Sequence, residues 1–304
     1  MPVTGTATMV ASAPVNFGIY APGRAPIGAG ELLDSVAASG YDGVDLGPLG
    51  YLGTGQELAS RLGGASIGLA GGWVDLRYGD ADGFVADLAG LDAALDAFTS
   101  VPVADARFTP RPTLACPANP ARFAAPGAPV DPGLRLTAAD WPGFAARVQQ
   151  AADRCRAREL EPAFHHHLGT DIETVADIEE LLARTDVSLC LDTGHLWLAG
   201  GDPIDAMRRW ADRIRQVHIK DGRRDVLAAV RAAQGDLAAV VAAGGFCPLG
   251  TGDLDLTAIV GALRDIGYTG WIVVEQDVPG TGQDLDRILA DQRDNRAALR
   301  REGI

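Results

Sequence analysis

The chain has almost no lysine. Of its 26 basic residues only Lys220 is a lysine, and 40 acidic residues leave a net charge of −14 and a pI near 4.7. No basic run offers an electrostatic footprint for a phosphate backbone, so nucleic acid is not an expected partner. Cysteine is sparse as well: Cys116, Cys155, Cys190 and Cys247 lie far apart without CxxC spacing, which reads as reduced thiols rather than a stapled scaffold. No apolar run is long enough to span a bilayer. The first fifteen residues hold no basic segment followed by an apolar one, and the expectation is a soluble, untargeted, cytoplasmic protein without membrane contact. Neither GxGxxG nor a Walker motif follows any strand pattern, there is no GxSxG elbow, and no cysteine stands among the histidines. Nicotinamide, nucleoside triphosphates and acyl transfer are therefore not indicated.

What is present points to one large core. The 304 residues are 47% apolar, and a single domain over 1–304 suits a barrel with insertions better than two small domains. Short runs rich in Val, Ile and Leu alternate with helical patterns, the signature of parallel strands joined by crossover helices, so the predicted class is α/β and the predicted fold a (β/α)8 TIM barrel. Eight strands are expected at 15–20, 43–46, 66–70, 113–116, 162–167, 187–191, 214–219 and 271–275, with 1–14 as a loose tail. Thr170 and Glu173 read as the capping box of a helix over 171–184, Asp202 and Pro203 as an N-cap and first helical residue, and Gly40 and Gly267 as helix stops. Residues 284–301 read as a closing helix. Two segments, 100–136 and 221–253, break the repeat and are expected to be long loop or insert regions.

Barrel enzymes place their chemistry at the C-terminal ends of the strands. Four consecutive predicted strands end there in ionisable groups: His165-His166-His167, Asp192 with His195 close behind, His218 with Lys220, and Glu275. All five histidines fall in these segments. Strand alternation puts 165 and 167 on one side and 166 on the other, and likewise pairs 218 with 220. With that side inward, His165, Asp192, His218 and Glu275 converge as two nitrogen and two oxygen ligands, a set suited to Mn²⁺, Co²⁺, Fe²⁺ or Zn²⁺ and ill-suited to Ca²⁺. Each has a plain alternative. Asp-Thr-Gly after a strand is often a turn, a strand histidine is often a hydrogen-bonded core residue, and a His triplet can be a surface tract. Glu275, closing the apolar run 271–274, must be paired or functional. Gly250-Thr251-Gly252-Asp253 reads as a plain loop before a helix.

These strand ends, in the segments HHHLGTDIET (165–174), LDTGHLWLAGGDP (191–203), VHIKD (217–221), PLGTGDLDL (248–256) and GYTGWIVVEQD (267–277), resemble the xylose isomerase-like barrels of the sugar phosphate isomerase/epimerase family, and within it most resemble the inosose dehydratases. The resemblance runs from Gly40-Tyr41-Asp42 through nearly all of the chain. It implies a divalent metal, Mn²⁺ or Co²⁺ foremost with Mg²⁺, Fe²⁺ and Zn²⁺ as alternatives, held by Asp192, His218 and Glu275, with His165 where the family commonly has a Glu. That exchange removes one of the paired carboxylates of the family's isomerases and favours a dehydratase over an epimerase. The inosose dehydratases also usually carry Glu at the position of Asp45, and a Trp-Asn-Asp type segment where this chain has Tyr20-Ala21-Pro22-Gly23-Arg24.

The implied reaction starts with proton abstraction beside the carbonyl of a small polyhydroxylated ketone such as scyllo-inosose, followed by loss of the β-hydroxyl. Base candidates are His167, His195 and Glu275, and Lys220 is a candidate for stabilising the enolate or donating a proton. Reprotonation instead would make an epimerase or isomerase, and expulsion of a glycosidic oxygen a 3-keto-glycoside lyase. A sugar-binding barrel without catalysis is the non-enzyme alternative. The metal-dependent DNA-repair endonucleases of this fold would need a basic groove, which the charge opposes. A homo-oligomer is expected by analogy alone.

Overall fold

The computed structural model describes residues 8–19, 27–127, 132–279 and 284–304. Ten strands occur among them: β1 (Thr8–Ser12), β2 (Gly43–Asp45), β3 (Gly68–Asp75), β4 (Arg111–Ala115), β5 (Ala163–His165), β6 (Ser188–Asp192), β7 (Ile214–Ile219), β8 (Asp221–Gly222), β9 (Phe246–Cys247) and β10 (Gly270–Val274). Eight of them close into a parallel barrel in the order β1-β10-β7-β6-β5-β4-β3-β2, which is the (β/α)8 fold expected, while β8 and β9 form a separate antiparallel ladder. No helix among the described residues is long and apolar enough to cross a membrane.

Alternation sorts the side chains. On β7 the odd residues Val217 and Ile219 join the large apolar cluster under the helices, while Gln216, His218 and Lys220 share the other face. On β10, Ile272 and Val274 do the same, leaving Trp271, Val273 and Glu275 together. Trp271 and Val273 pack with Ala11, Ala13 and Ala70 in a small apolar plug, and above them Thr113 donates to Gln216 at 2.9 Å, so the floor of the barrel is filled and the polar groups beyond it sit at the mouth. The outer cluster takes Leu32, Val36, Leu58, Leu62, Phe98, Phe144, Leu181 and Leu263 from the helices, each worth roughly 1.5–3 kcal/mol when fully buried.

Several expectations are corrected. The first barrel strand is Thr8–Ser12, inside the segment expected as a tail, and the start of the strand expected at 15–20 falls in a 3-10 helix, Pro14–Phe17. Tertiary pairing decides this: Thr8–Ser12 aligns with Gly270–Val274 on one side, and its last two residues, Ala11 and Ser12, with Gly43 and Val44 on the other. The third strand runs on from Gly68 to Asp75 through two glycines. A side chain at Gly71 would meet the Arg111 carbonyl at 2.4 Å, so the glycine permits the strand rather than breaking it. The helix after β5 is Val175–Arg184, and its capping box is Thr174 with Asp177, not Thr170 with Glu173. The insert expected at 221–253 holds two short helices, Arg224–Ala232 and Leu237–Ala242. The Asp202–Pro203 start, the left-handed Gly40 and Gly267 just past helix ends and the closing helix Leu285–Arg301 stand where the sequence puts them. Residues 1–7 of the tail and the Tyr20-Ala21-Pro22-Gly23-Arg24 segment lie outside the described residues.

Candidate active site

Register brings the ionisable strand ends to one level. His165 pairs with Cys190, Asp192 pairs with His218, and the Glu275 N–H donates to the Ile219 carbonyl at 3.1 Å. One donor atom each from His165, Asp192, His218 and Glu275 then lie within 4.8 Å of one another, with the first three fully buried and Glu275 nearly so. The structure therefore assembles the four residues that the sequence singled out as ligands.

Their bonding is incomplete in the way a metal site requires. Asp192 Oδ2, His165 Nδ1 and both ring nitrogens of His218 are buried and make no hydrogen bond, although His218 Nδ1 stands 3.2 Å from Glu275 Oε1 and Asp192 Oδ2 stands 3.6 Å from the Lys220 ammonium. Leaving His165 Nδ1 and His218 Nε2 without a partner costs on the order of 1–3 kcal/mol apiece. Four donors arranged tetrahedrally about 2.1 Å from a common ion stand ~3.4 Å apart, so closing this set on a cation takes side-chain shifts on the order of an ångström. Two imidazoles with two carboxylates suit a borderline divalent ion. The donor set fits the group that the sequence implied.

The framework around the ligands is dense. Asp192 Oδ1 accepts from the His195 N–H at 2.8 Å, capping the short helix Thr193–Leu198, which leaves Oδ2 for the site. His166, pointing the opposite way from its neighbours, accepts the Asp192 N–H at 3.2 Å. Asn16 holds the backbone on both sides of Glu275, donating to the Val274 carbonyl at 2.9 Å and accepting from the Gln276 N–H at 2.7 Å. Thr170 Oγ1 donates to the His167 carbonyl at 2.8 Å, and the Gly169 carbonyl accepts from the Asn119 N–H, fixing the loop that carries the histidines.

Lys220 lies at the centre of the remaining polar groups. Its ammonium is 2.8 Å from His195 Nε2, 2.9 Å from Asp277 Oδ2, 3.0 Å from Glu275 Oε2 and 3.6 Å from Asp192 Oδ2. Burial pulls its pKa down, but Asp277, Asp192 and Glu275 outweigh burial and hold it above the ordinary lysine value. With those three carboxylates around it the ammonium keeps its charge, the state suited to the enolate-stabilising role among the two expected of it. Burial, with Lys220 second, pushes His167 down to about 3, and burial with His167 and Lys220 holds His195 well below its usual value, so both rings are neutral. Burial raises Glu275 and Asp192, yet His218 and Lys220 hold the first, and Lys220 and His165 the second, below the usual carboxylate range. Burial also lowers His218, but Cys190 and Glu275 overcome it and hold that ring well above its usual value.

Four further residues belong to the mouth. Asp277 was visible by alternation, two residues past Glu275. Asp45, at the end of β2, is buried with Oδ1 unbonded, and burial, opposed by His218, pushes it up to about 7. Trp73, in the extended part of β3, stands edge-on to His165 and His167 with ring centroids 5.5 and 5.3 Å away. Phe246 reaches in from β9 to 4.9 Å from the His195 ring and 5.0 Å from the Lys220 ammonium, with no local signal in the sequence. Gly250-Thr251-Gly252-Asp253 is held by Asp221, whose carboxylate accepts from the N–H groups of Gly222, Gly250, Gly252 and Leu254 at 2.8–3.2 Å, a loop anchor rather than a ligand cradle.

Residues 33–300 match the family described as xylose isomerase-like TIM barrel. Inosose dehydratase of Geobacillus kaustophilus (strain HTA426) is 39% identical over 146 residues, 47% of this chain and 47% of the relative. The chain thus spans about half the length of the inosose dehydratases it matches. Rhizopine catabolism protein MocC of Rhizobium meliloti is 32% identical over 251 residues, 81% of this chain and 74% of that protein. Among solved structures, the IOLI protein with a binding zinc atom superposes with a TM-score of 0.67 at 13% identity, covering 96% of this chain and 97% of that one, a likeness of fold.

Proposed function

Because the chain belongs to the xylose isomerase-like TIM barrel family, we propose that it is a metal-dependent lyase that dehydrates a cyclic keto-polyol, with scyllo-inosose as the substrate of first choice. The observation that carries this reading is the buried set of His165, Asp192, His218 and Glu275, whose donor atoms lie within 4.8 Å of one another and include four ring and carboxylate atoms without hydrogen bonds. The relatives named inosose dehydratase support the choice of substrate.

When bound by these four residues, a divalent metal would act as a Lewis acid on the ketone oxygen and make the neighbouring C–H acidic. The base is His167. Its Nδ1 is 2.7 Å from the Leu168 carbonyl, which can only accept, so the proton sits on Nδ1 and Nε2 keeps its lone pair. His195 is the weaker candidate, because Nε2 is spent on the Lys220 ammonium at 2.8 Å, and Glu275 is committed to His218 and Lys220. The Lys220 charge stabilises the negative charge that develops on the substrate, and it does so without reorganising, being already held among Asp277, Glu275 and Asp192. Trp73 and Phe246 line the same mouth and exclude water. His165 in place of a second carboxylate leaves no acid–base pair across the substrate, which supports elimination over epimerisation.

The test is proton NMR of scyllo-inosose in D₂O with metal-stripped protein, before and after adding Mn²⁺ or Co²⁺. Metal-dependent loss of water to a trihydroxycyclohexane-dione is the expected result. Deuterium uptake without elimination would replace this reading with an epimerase, and no change would redirect the search to 3-keto-glycosides.

A further inference from the structure

The mouth of the barrel contains a second donor set besides the one assigned to the metal. His167, His195 and Asp277 each place a donor atom within 4.8 Å of the others, and the centroids of the two imidazoles are 3.7 Å apart. Lys220 occupies this set, at 2.8 Å from His195 Nε2 and 2.9 Å from Asp277 Oδ2, while reaching Glu275 and Asp192 of the first set. We propose that the Lys220 ammonium is the resident occupant of a second cation site formed by His167, His195 and Asp277, so that the barrel holds one divalent metal and one fixed organic cation, and that removing the ammonium opens the second set to a second divalent metal.

Three features support this assignment beyond proximity. The first is immobility. The Lys220 N–H donates to Thr193 Oγ1 at 2.9 Å, Thr193 Oγ1 donates back to the Lys220 carbonyl at 2.7 Å, the Lys220 stem lies against Gly194, and the ammonium lies 5.0 Å from the centroid of Phe246. The charge is thus as fixed in place as a coordinated ion. The second is ligand chemistry. An ammonium has only donors, so His195 Nε2 must present its lone pair, and the Nδ1–H of His167 is used on Leu168, leaving Nε2 as that ring's lone pair. These are the tautomers that a metal would demand. The third is charge balance. Asp192, Glu275 and Asp277 bring three carboxylates to one pocket, and the ammonium stands within 3.6 Å of an oxygen of each. Taking the ammonium away leaves a carboxylate uncompensated in a buried site, a strong thermodynamic pull on any available cation. Two metals bridged by shared carboxylates are a known arrangement, whereas an ammonium cannot generate a hydroxide nucleophile beside the substrate.

This inference rests on the four-residue set being a metal site, and the experiment separates the two. Metal-stripped full-length protein, wild type, Lys220→Ala and Lys220→Met, is titrated with Zn²⁺ by calorimetry, and bound Zn²⁺ is counted by elemental analysis after dialysis. One equivalent is expected for the wild type, two for Lys220→Ala, one for Lys220→Met because the methionine stem fills the space, and one again for Lys220→Ala combined with His195→Ala. No binding by the wild type would refute the metal reading itself. Two equivalents in the wild type, or a single equivalent in a folded Lys220→Ala, would overturn the second site alone. Lys220→Ser is a second opening variant. If the opened variants fold only when Zn²⁺ is supplied, the count still decides: two equivalents bound uphold the proposal, while one equivalent, or failure of Zn²⁺ to rescue either variant, overturns it.

Discussion

Replacing Gly194 by alanine sets a general rule against a local contact. Gly194 lies in the helix Thr193–Leu198, and alanine in a helix interior is worth about 1 kcal/mol over glycine. Here, however, the added methyl would stand 2.7 Å from Lys220 Cγ, 2.9 Å from its Cβ and 3.1 Å from its Cδ. The stem cannot yield at either end, because its backbone is bonded to Thr193 and its ammonium is held by His195, Asp277 and Glu275. Relieving the contact takes a shift of roughly 0.7 Å to reach ordinary van der Waals distance, and overpacking of this kind costs about 1–3 kcal/mol. The net expectation is a destabilisation of about 0–2 kcal/mol together with a loss of activity near 10²-fold, since misplacing a charge by an ångström has that effect.

Gly90→Ala is the control. It lies exposed in the middle of the helix Ala81–Thr99 with nothing within 4 Å of the added carbon, and it should gain about 0.4–1 kcal/mol with activity unchanged. Urea unfolding measures the first quantity and the α-proton exchange rate of scyllo-inosose in D₂O the second. A Gly194→Ala protein as stable as Gly90→Ala and active to within two- or three-fold would refute the reasoning that Lys220 is rigidly positioned.

Asp221→Asn should cost about 1–3 kcal/mol in urea unfolding, because the amide nitrogen turns one acceptor of four backbone N–H groups into a donor; an unchanged midpoint would mean that the loop does not depend on that carboxylate. Asn16→Ala frees the backbone on both sides of Glu275 and should weaken Mn²⁺ binding by about 10–100-fold in calorimetry, whereas an unaltered affinity would show that Glu275 is placed by its strand alone. Glu173 is pushed up to about 7 by burial, opposed by the Gly127 N–H and Arg122. Its folded pKa lies above the unfolded one, so its contribution is complete below pH 4.5, declines between the two values and is lost above 7, a span of about 3 kcal/mol. Glu173→Gln should flatten the fall in stability from pH 4.5 to 7, and a slope equal to that of the wild type would count against a buried protonated Glu173.

The parts of the fold visible in the sequence are those whose signal is local. β7 alternates apolar Ile214, Val217 and Ile219 with polar residues of which only Arg215 is exposed, and its bounds were readable, as was the Asp202–Pro203 helix start, where the capping side chain and its N–H partners lie within three residues. β1 was not readable because TMVAS is no more apolar than the segment after it, and only pairing with β10 and β2 selects it. The two Thr-x-x-acid patterns, 170–173 and 174–177, are equivalent on paper. Glu173 is taken by the Gly127 and Gly169 N–H groups, which leaves the second to cap the helix. The four proposed ligands could be found because successive strand ends deliver them, and strand ends are a sequence property. Asn16, Trp73 and Phe246 reach the same place from positions that only the closed barrel brings near, and no local pattern marks them.

The seam between β1 and β10 also bears on how the chain is made. Thr8 is hydrogen-bond neighbour to Gly270, so the ring cannot shut until about 260 further residues have left the ribosome, some 13–50 s at 5–20 residues per second. For that time β2 and each later strand in turn offers an open flank, and contacts of such large separation are slow to form. Because β10 both completes the ring and carries Glu275 to its place, the site cannot assemble before that strand has been made.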